Sequence, residues 1–196
     1  MNGTISRIAK VFPPHRRRVS LRSSSSGLCS GPSARVSHFV VPQSGVAFLT
    51  GDSWQQAGQT MRLYGVQACI RGTTYTDKSG HKQDCGAVSL AMLAAIVKDT
   101  KPTCAPVAQL TAPVPNRPST ILVICSAHIG SNALDVGTML ITQGFAFAAL
   151  EITGKPVYLP YSIEEEVAQQ SRAGLWAYSD TPHPNRMLFS HSAKPE

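Results

Sequence analysis

An α+β fold is predicted for the central part of this chain on three observations. Short apolar runs broken by turn residues come first, at 45–64. An Ala/Leu/Met-rich run with helical propensity follows, and two β-branched runs then precede a second group of helix signals.

Taken in order, Gly45 to Leu49 is a short apolar run before the Gly51-Asp52 turn. It pairs naturally with Thr60-Met61-Arg62-Leu63-Tyr64 as a hairpin or meander. Side chains alternate along a strand, which puts Arg62 and Tyr64 on one face. Ala87 to Val97 is helical by propensity, with Asp84 just ahead of it as N-cap. Lys101 to Gln109 and Thr120 to Ser126 read as strands. A second helix is expected from Asp135, as N-cap, to Gly144, a C′ glycine. A third opens on the capping-box pattern Ser162-Ile163-Glu164-Glu165 and stops at Gly174.

The charge is unevenly distributed. The chain of 196 residues has a formal net charge of +7, from 18 Lys/Arg and 11 Asp/Glu. Seven of the basic residues (Arg7, Lys10, Arg16, Arg17, Arg18, Arg22 and Arg35) lie in residues 1–51, which contain no acid. Beyond residue 51, 11 basic side chains face 11 acidic ones. The excess charge therefore belongs to the N-terminal segment, and the domain has no net positive field to steer a polyanion. Any nucleic-acid or acidic-polymer partner must be held by a local patch.

Three segments are expected: an Arg/Ser-rich tail over 1–37, a domain over 38–180, and a C-terminal tail over 181–196. Pro13-Pro14, the Arg16-Arg17-Arg18 run and four serines from Ser23 to Ser26 supply little that could form a core, so the tail is expected to be disordered. A start placed too far upstream, or a transit-type targeting segment, fits the same composition. No uninterrupted apolar stretch of a secretory signal precedes residue 39, and Phe39-Val40-Val41 is too short to be one. No run approaches the ~20 apolar residues of a membrane span. No feature sets an oligomeric state.

Residues 61–70, Met-Arg-Leu-Tyr-Gly-Val-Gln-Ala-Cys-Ile, resemble the Arg-Leu-x-Gly-Ile-Asp-Ala-Pro-Glu segment of the staphylococcal-nuclease-like (thermonuclease) family. Other stretches follow in the family's order across residues 44–178. Thr50-Gly51-Asp52-Ser53 is similar to its Asp-Gly-Asp-Thr turn, and Asp84-Cys85-Gly86 to the start of its first helix. Asn116-Arg117 is similar to its Gly-Arg pair, and Leu134-Asp135-Val136 through Gly144-Phe145-Ala146 to its second helix and the strand after it. Glu166-x-Ala168 with Ala173-Gly174-Leu175-Trp176 is similar to its closing signature. The resemblance implies a five-stranded OB-type β-barrel with three helices, whose mouth is a common oligonucleotide or oligosaccharide site.

It also implies a set of roles. Arg62 and Arg117 would grip phosphate, and Asp52 would be one calcium carboxylate. Gln67 stands at the position of the second calcium carboxylate and offers only a neutral oxygen. Ile70 stands at the position of the glutamate that activates water and offers no proton acceptor. Calcium takes about six to eight oxygen ligands, with carboxylates giving most of the affinity, so weak calcium binding is expected. Leu150 and Ile152 occupy the family's stacking-tyrosine positions, leaving Tyr64, Tyr158 and Tyr161 as substitutes, with Tyr158 and Tyr161 read chiefly as packing around Pro156 and Pro160. Tyr64 is grouped with Arg62 and Arg117 as substrate-binding. The expected function is an anion-binding, thermonuclease-like domain with weak or no phosphodiester hydrolysis. Two alternatives stay open: an active calcium-dependent nuclease, and a non-catalytic accessory protein of cell-envelope or exopolysaccharide (succinoglycan-like) production.

Among the five cysteines, no pair has the C-x-x-C spacing of a zinc or redox motif. Secreted members of the family often carry cystines near the places where Cys104, Cys125, Cys69 and Cys85 stand. The resemblance thus implies Cys104–Cys125 and Cys69–Cys85 bridges, with Cys29 left over. Bridged, the chain belongs in a periplasm or outside the cell, despite the lack of a visible secretory signal; with reduced thiols it belongs in the cytoplasm. The six histidines lack ligand spacing, Ser53 and Ser126 lack a partner base, and Trp54 and Trp176 read as core or hinge aromatics.

Overall fold

The computed structural model describes residues 37–110 and 119–190. Arg117, Cys29 and nearly all of the predicted tail lie outside the described residues.

The elements in chain order are β1 (Phe39–Val40), β2 (Val46–Thr50), β3 (Ser53–Gln56), β4 (Gln59–Leu63), β5 (Val66–Ala68), β6 (Thr74–Thr76), β7 (Lys82–Asp84) and α1 (Cys85–Thr100). After them come β8 (Thr103–Leu110), β9 (Thr120–Ile129), β10 (Asn132–Asp135), α2 (Val136–Thr142), β11 (Ala146–Ala148), α3 (Leu159–Gln170), a 3₁₀ turn (Gly174–Ala177) and α4 (Pro184–Ser190). The fold is α+β. Its main sheet is a curled, half-barrel mixed sheet of seven strands in the order β1-β8-β9-β4-β3-β2, with β10 paired to β9. The β2-β3-β4 meander is antiparallel, and β4 joins β9 in parallel with Arg62 opposite Leu122. The ladders β5–β11 and β6–β7 stand apart from the main sheet.

The helix starts have the expected local causes. Asp84 accepts from the Ala87 N–H at 2.9 Å and caps α1. Along α1, Cys85, Ser89, Leu93, Ile96 and Val97 recur at helical spacing and are buried. The helix ends at Lys101, left-handed at φ 47°, whose N–H returns to the Val97 carbonyl. Asp135 caps α2 through the Thr138 N–H at 2.7 Å, and Gly144 follows with φ 73°.

The third helix departs from its expected start. It begins at Leu159, three residues before the capping-box pattern, with Pro160 in its first turn. Proline presets the first-turn backbone and needs no N–H partner there. Ser162 then lies inside the helix and donates to the Leu159 carbonyl at 2.8 Å, while Glu165 accepts from the Ala148 N–H at 2.9 Å. Four α-helices replace the three expected, because α4 forms inside the stretch read as a C-terminal tail. There Pro184 and Asn185 are buried, and the Asn185 amide donates to the Ala148 carbonyl at 2.9 Å.

The larger core, between α1, α2 and the sheet, buries Trp54, Leu93, Val123, Leu140 and Ile141. A smaller one gathers Cys69, Tyr75, Cys85, Phe147 and Leu175, with Trp176 and Tyr178 packed against it. Both expected disulfides are present. Cys104–Cys125 joins directly opposed residues of β8 and β9, and Cys69–Cys85 ties the end of β5's exit to the head of α1. No helix among the described residues is long and apolar enough to cross a membrane.

Candidate functional site

The turn between β2 and β3 carries Asp52. Gly51 lets this turn lie on α1: a Cβ there would fall 2.1 Å from the Ser89 hydroxyl and 2.7 Å from Ser89 backbone. Asp52 is 3 % exposed and its carbonyl accepts from the Leu63 N–H at 2.9 Å. One carboxylate oxygen accepts from the Thr50 hydroxyl. The other accepts from Arg62 Nε at 3.0 Å, across the β3–β4 ladder in which Arg62 pairs with Ser53.

Gln67, on β5, completes a chain of polar contacts. Its Nε2 donates to the Ala68 carbonyl at 3.0 Å, which turns its Oε1 toward Arg62 Nη2 at 2.9 Å. The Arg62 guanidinium therefore sits between Asp52 and Gln67 and is held by both. Two of its N–H groups are engaged, and the side chain remains 38 % exposed, so the outer edge of the fork still faces solvent.

These residues line a cleft of about 510 Å³ together with Thr50, Ser53, Ile70, Arg71 and Leu188. Arg71 is a second guanidinium that the sequence reading did not select. Its Nε lies 3.4 Å from an Asp84 carboxylate oxygen and its side chain is 54 % exposed. Gly86 makes room for it, since a Cβ there would fall 2.6 Å from the Arg71 backbone nitrogen. Desolvation alone would raise the Asp84 carboxyl. The N–H groups of Ala87, Gly72 and Gly86, with the Arg71 cation, outweigh it and hold Asp84 below the ordinary carboxylate range. The adjacent Cys69 cystine and Gly72 mark this corner in the sequence, yet only the fold turns Arg71 into the cleft.

Tyr64 is not among the residues that line this cleft. β4 ends at Leu63, and the chain turns through Tyr64 and Gly65, where φ is 72°. The Tyr64 N–H still donates to the Val123 carbonyl at 2.9 Å, which carries the β4–β9 pairing one residue further. Tyr64 instead lines a separate cavity of about 210 Å³ with Tyr158, Tyr161 and Glu164. Asp77 is tied into its own hairpin by the Ser79 and His81 N–H groups.

The arrangement is suited to holding an anion. Arg62 and Arg71 provide cationic edges, Thr50 and Ser53 provide hydroxyls, and Ile70 provides an apolar wall. Asp52 is the one carboxylate among the lining residues, and it is already shared by Arg62 and Thr50. Gln67 Oε1 also faces Arg62, so the two oxygens expected to hold a cation both point at guanidinium hydrogens. Among the described residues no group of three His, Cys, Asp or Glu is placed to hold a metal ion. Compared with models of known protein families and with curated proteins, the chain matches none.

Proposed function

We propose that this domain is a non-hydrolytic anion-binding module on a thermonuclease-like, OB-type barrel, taking phosphate groups of a nucleotide, nucleic acid or other acidic polymer in the Arg62–Arg71 cleft. One observation carries this reading: Arg62 bridges Asp52 and Gln67, occupying with its own charge the space between the two residues that correspond to the family's calcium ligands. A bound divalent cation would have to displace that guanidinium. The cation's attraction for a single carboxylate would then compete with a charge-assisted hydrogen bond already made. Calcium affinity is accordingly weak in this reading. With Ile70 in place of a proton acceptor, no lining side chain is free to activate water.

Two features support the OB-type assignment. The β2-β3-β4 meander joins β9 in parallel, and β9 joins β8 in antiparallel fashion after α1. Five strands so ordered suit the partly open Greek-key barrel of an OB-fold, with β1 and β10 as additions. The two cystines support an oxidising compartment, a periplasm or the outside of a cell.

The test is a gel assay on the full chain with calcium and single-stranded DNA, beside a mobility-shift titration. Intact DNA that is retarded by the protein, and less so by Arg71→Ala, is the expected result. Degradation that a chelator stops and Arg62→Ala abolishes would replace this reading with that of a working nuclease.

A further inference from the structure

A second cationic hollow lies at the C-terminal end of the domain. It has a volume of about 350 Å³ and is walled by Arg172, Trp176, Tyr178, His183 and Arg186, among others, with no Asp or Glu in its lining. This is within the ~300–1,000 Å³ range of small-ligand sites. Arg172 follows α3 and Arg186 belongs to α4, so two separate elements bring their guanidinium-bearing residues to one cavity. Neither has an ion pair with a described residue.

The carboxylates on the neighbouring elements are committed elsewhere. Glu165 accepts from the Ala148 N–H and from His183 Nε2, both at 2.9 Å. Asp180 accepts from the Thr76 N–H at 3.0 and 3.1 Å. His183 is likewise satisfied: its Nδ1 accepts from the Asn185 N–H at 3.3 Å, which directs its Nε2 hydrogen to Glu165. The imidazole supplies a wall, in ring contact with Phe147 and Trp176. The buried Trp176 indole N–H has no hydrogen-bond partner among the described residues.

Arg172 is also held at a conformational cost. It is left-handed, with φ 53°, at the position just past the helix end where glycine is the favoured residue. A glycine would suit the backbone there better and would remove the charge.

We infer that this hollow is a binding site for a phosphate-type dianion, free or as the end group of a phosphomonoester, gripped by Arg172 and Arg186 against the Trp176 and Tyr178 walls. Two arginines lining one cavity without a carboxylate suit the bidentate recognition of phosphate oxygens. The site is separate from the Arg62 cleft and does not depend on that cleft's function.

The chain's two tryptophans make a direct test practical, because each indole N–H gives its own nuclear magnetic resonance signal. Inorganic phosphate titrated into the full chain should move the Trp176 signal saturably and leave that of Trp54, which is buried in the other core, in place. Arg186→Ala and Arg172→Gly should each weaken the response by about tenfold. Arg172→Gly should at the same time raise the melting temperature, so that lost binding is not mistaken for lost folding. A nucleoside 5′-monophosphate that binds more tightly than phosphate assigns the site to a phosphomonoester; equal or weaker binding assigns it to the free ion. A Trp176 signal unmoved by either ligand, or moved equally in wild type and both variants, would overturn the proposal.

Discussion

Arg62 and Arg172 carry the same group into two hollows of one domain, and their surroundings differ in a way that composition cannot express. Arg62 is spanned by Asp52 and Gln67 and is nearly half spent inside the protein. Arg172 and Arg186 face a cavity whose nearby carboxylates are bound to a histidine and to backbone N–H groups. A guanidinium's availability thus depends on which acids the fold leaves unengaged. In the first hollow an acid and an amide engage the guanidinium and leave it one edge, while in the second neither arginine has an ion pair with a described residue.

The largest expected effect concerns the frame that both hollows share. The Cys69–Cys85 bridge spans 16 residues and lies in the smaller core against which Trp176 packs, and Cys69 also lines the Arg62 cleft. Replacing both cysteines with serine should cost about 3 kcal/mol in denaturant unfolding. Next comes Arg62→Ala, which strands the buried Asp52 carboxylate. Breaking a buried pair costs about 3–5 kcal/mol, and partial exposure of Arg62 brings the expected loss to about 2–3 kcal/mol. Adding Asp52→Asn should recover part of it, and a double-mutant cycle would show the coupling. Independent, additive effects would mean that Arg62 is not held as described.

Acid unfolding sharpens the contrast at the rim of the first cleft. Asp84 titrates lower in the folded than in the unfolded chain. Its contribution is therefore complete above the ordinary carboxylate range and is lost as pH falls through its depressed folded value. Asp84→Asn should lower stability above the ordinary carboxylate range and flatten that acid limb. The smallest effect is expected at the second hollow, where Arg172→Gly should stabilise by about 0.5–1 kcal/mol through relief of the left-handed backbone. A loss of stability there would mean that the guanidinium has an internal partner after all.

Much of the frame was legible in the sequence because it depends on local chemistry. Asp84 and Asp135 cap helices through N–H groups three residues on, Gly144 turns the chain after α2, and the strand runs lie close to where β2, β4, β8 and β9 form. The start of α3 was misplaced because Ser162 through Glu165 imitates a cap, while Pro160 sets the first turn earlier. The seven residues of α4 are too few to show a period, and packing of Pro184 and Asn185 rather than propensity holds them. Sites were less legible than elements. Asp52 and Gln67 were selected as cation ligands, but that both face Arg62 depends on the β3–β4 register and on the Gln67 amide orientation. Arg71, Arg172 and Arg186 carry no spacing signal and meet their cavities only through tertiary structure.

Between Asp52 and Gln67 the Arg62 guanidinium holds the oxygens that a divalent cation would need. Calorimetric titration of calcium into the full chain tests this most directly. No saturable heat below about millimolar calcium is expected, since one already-paired carboxylate falls far short of a calcium shell. A stoichiometric isotherm at micromolar calcium, abolished by Asp52→Asn, would contradict it.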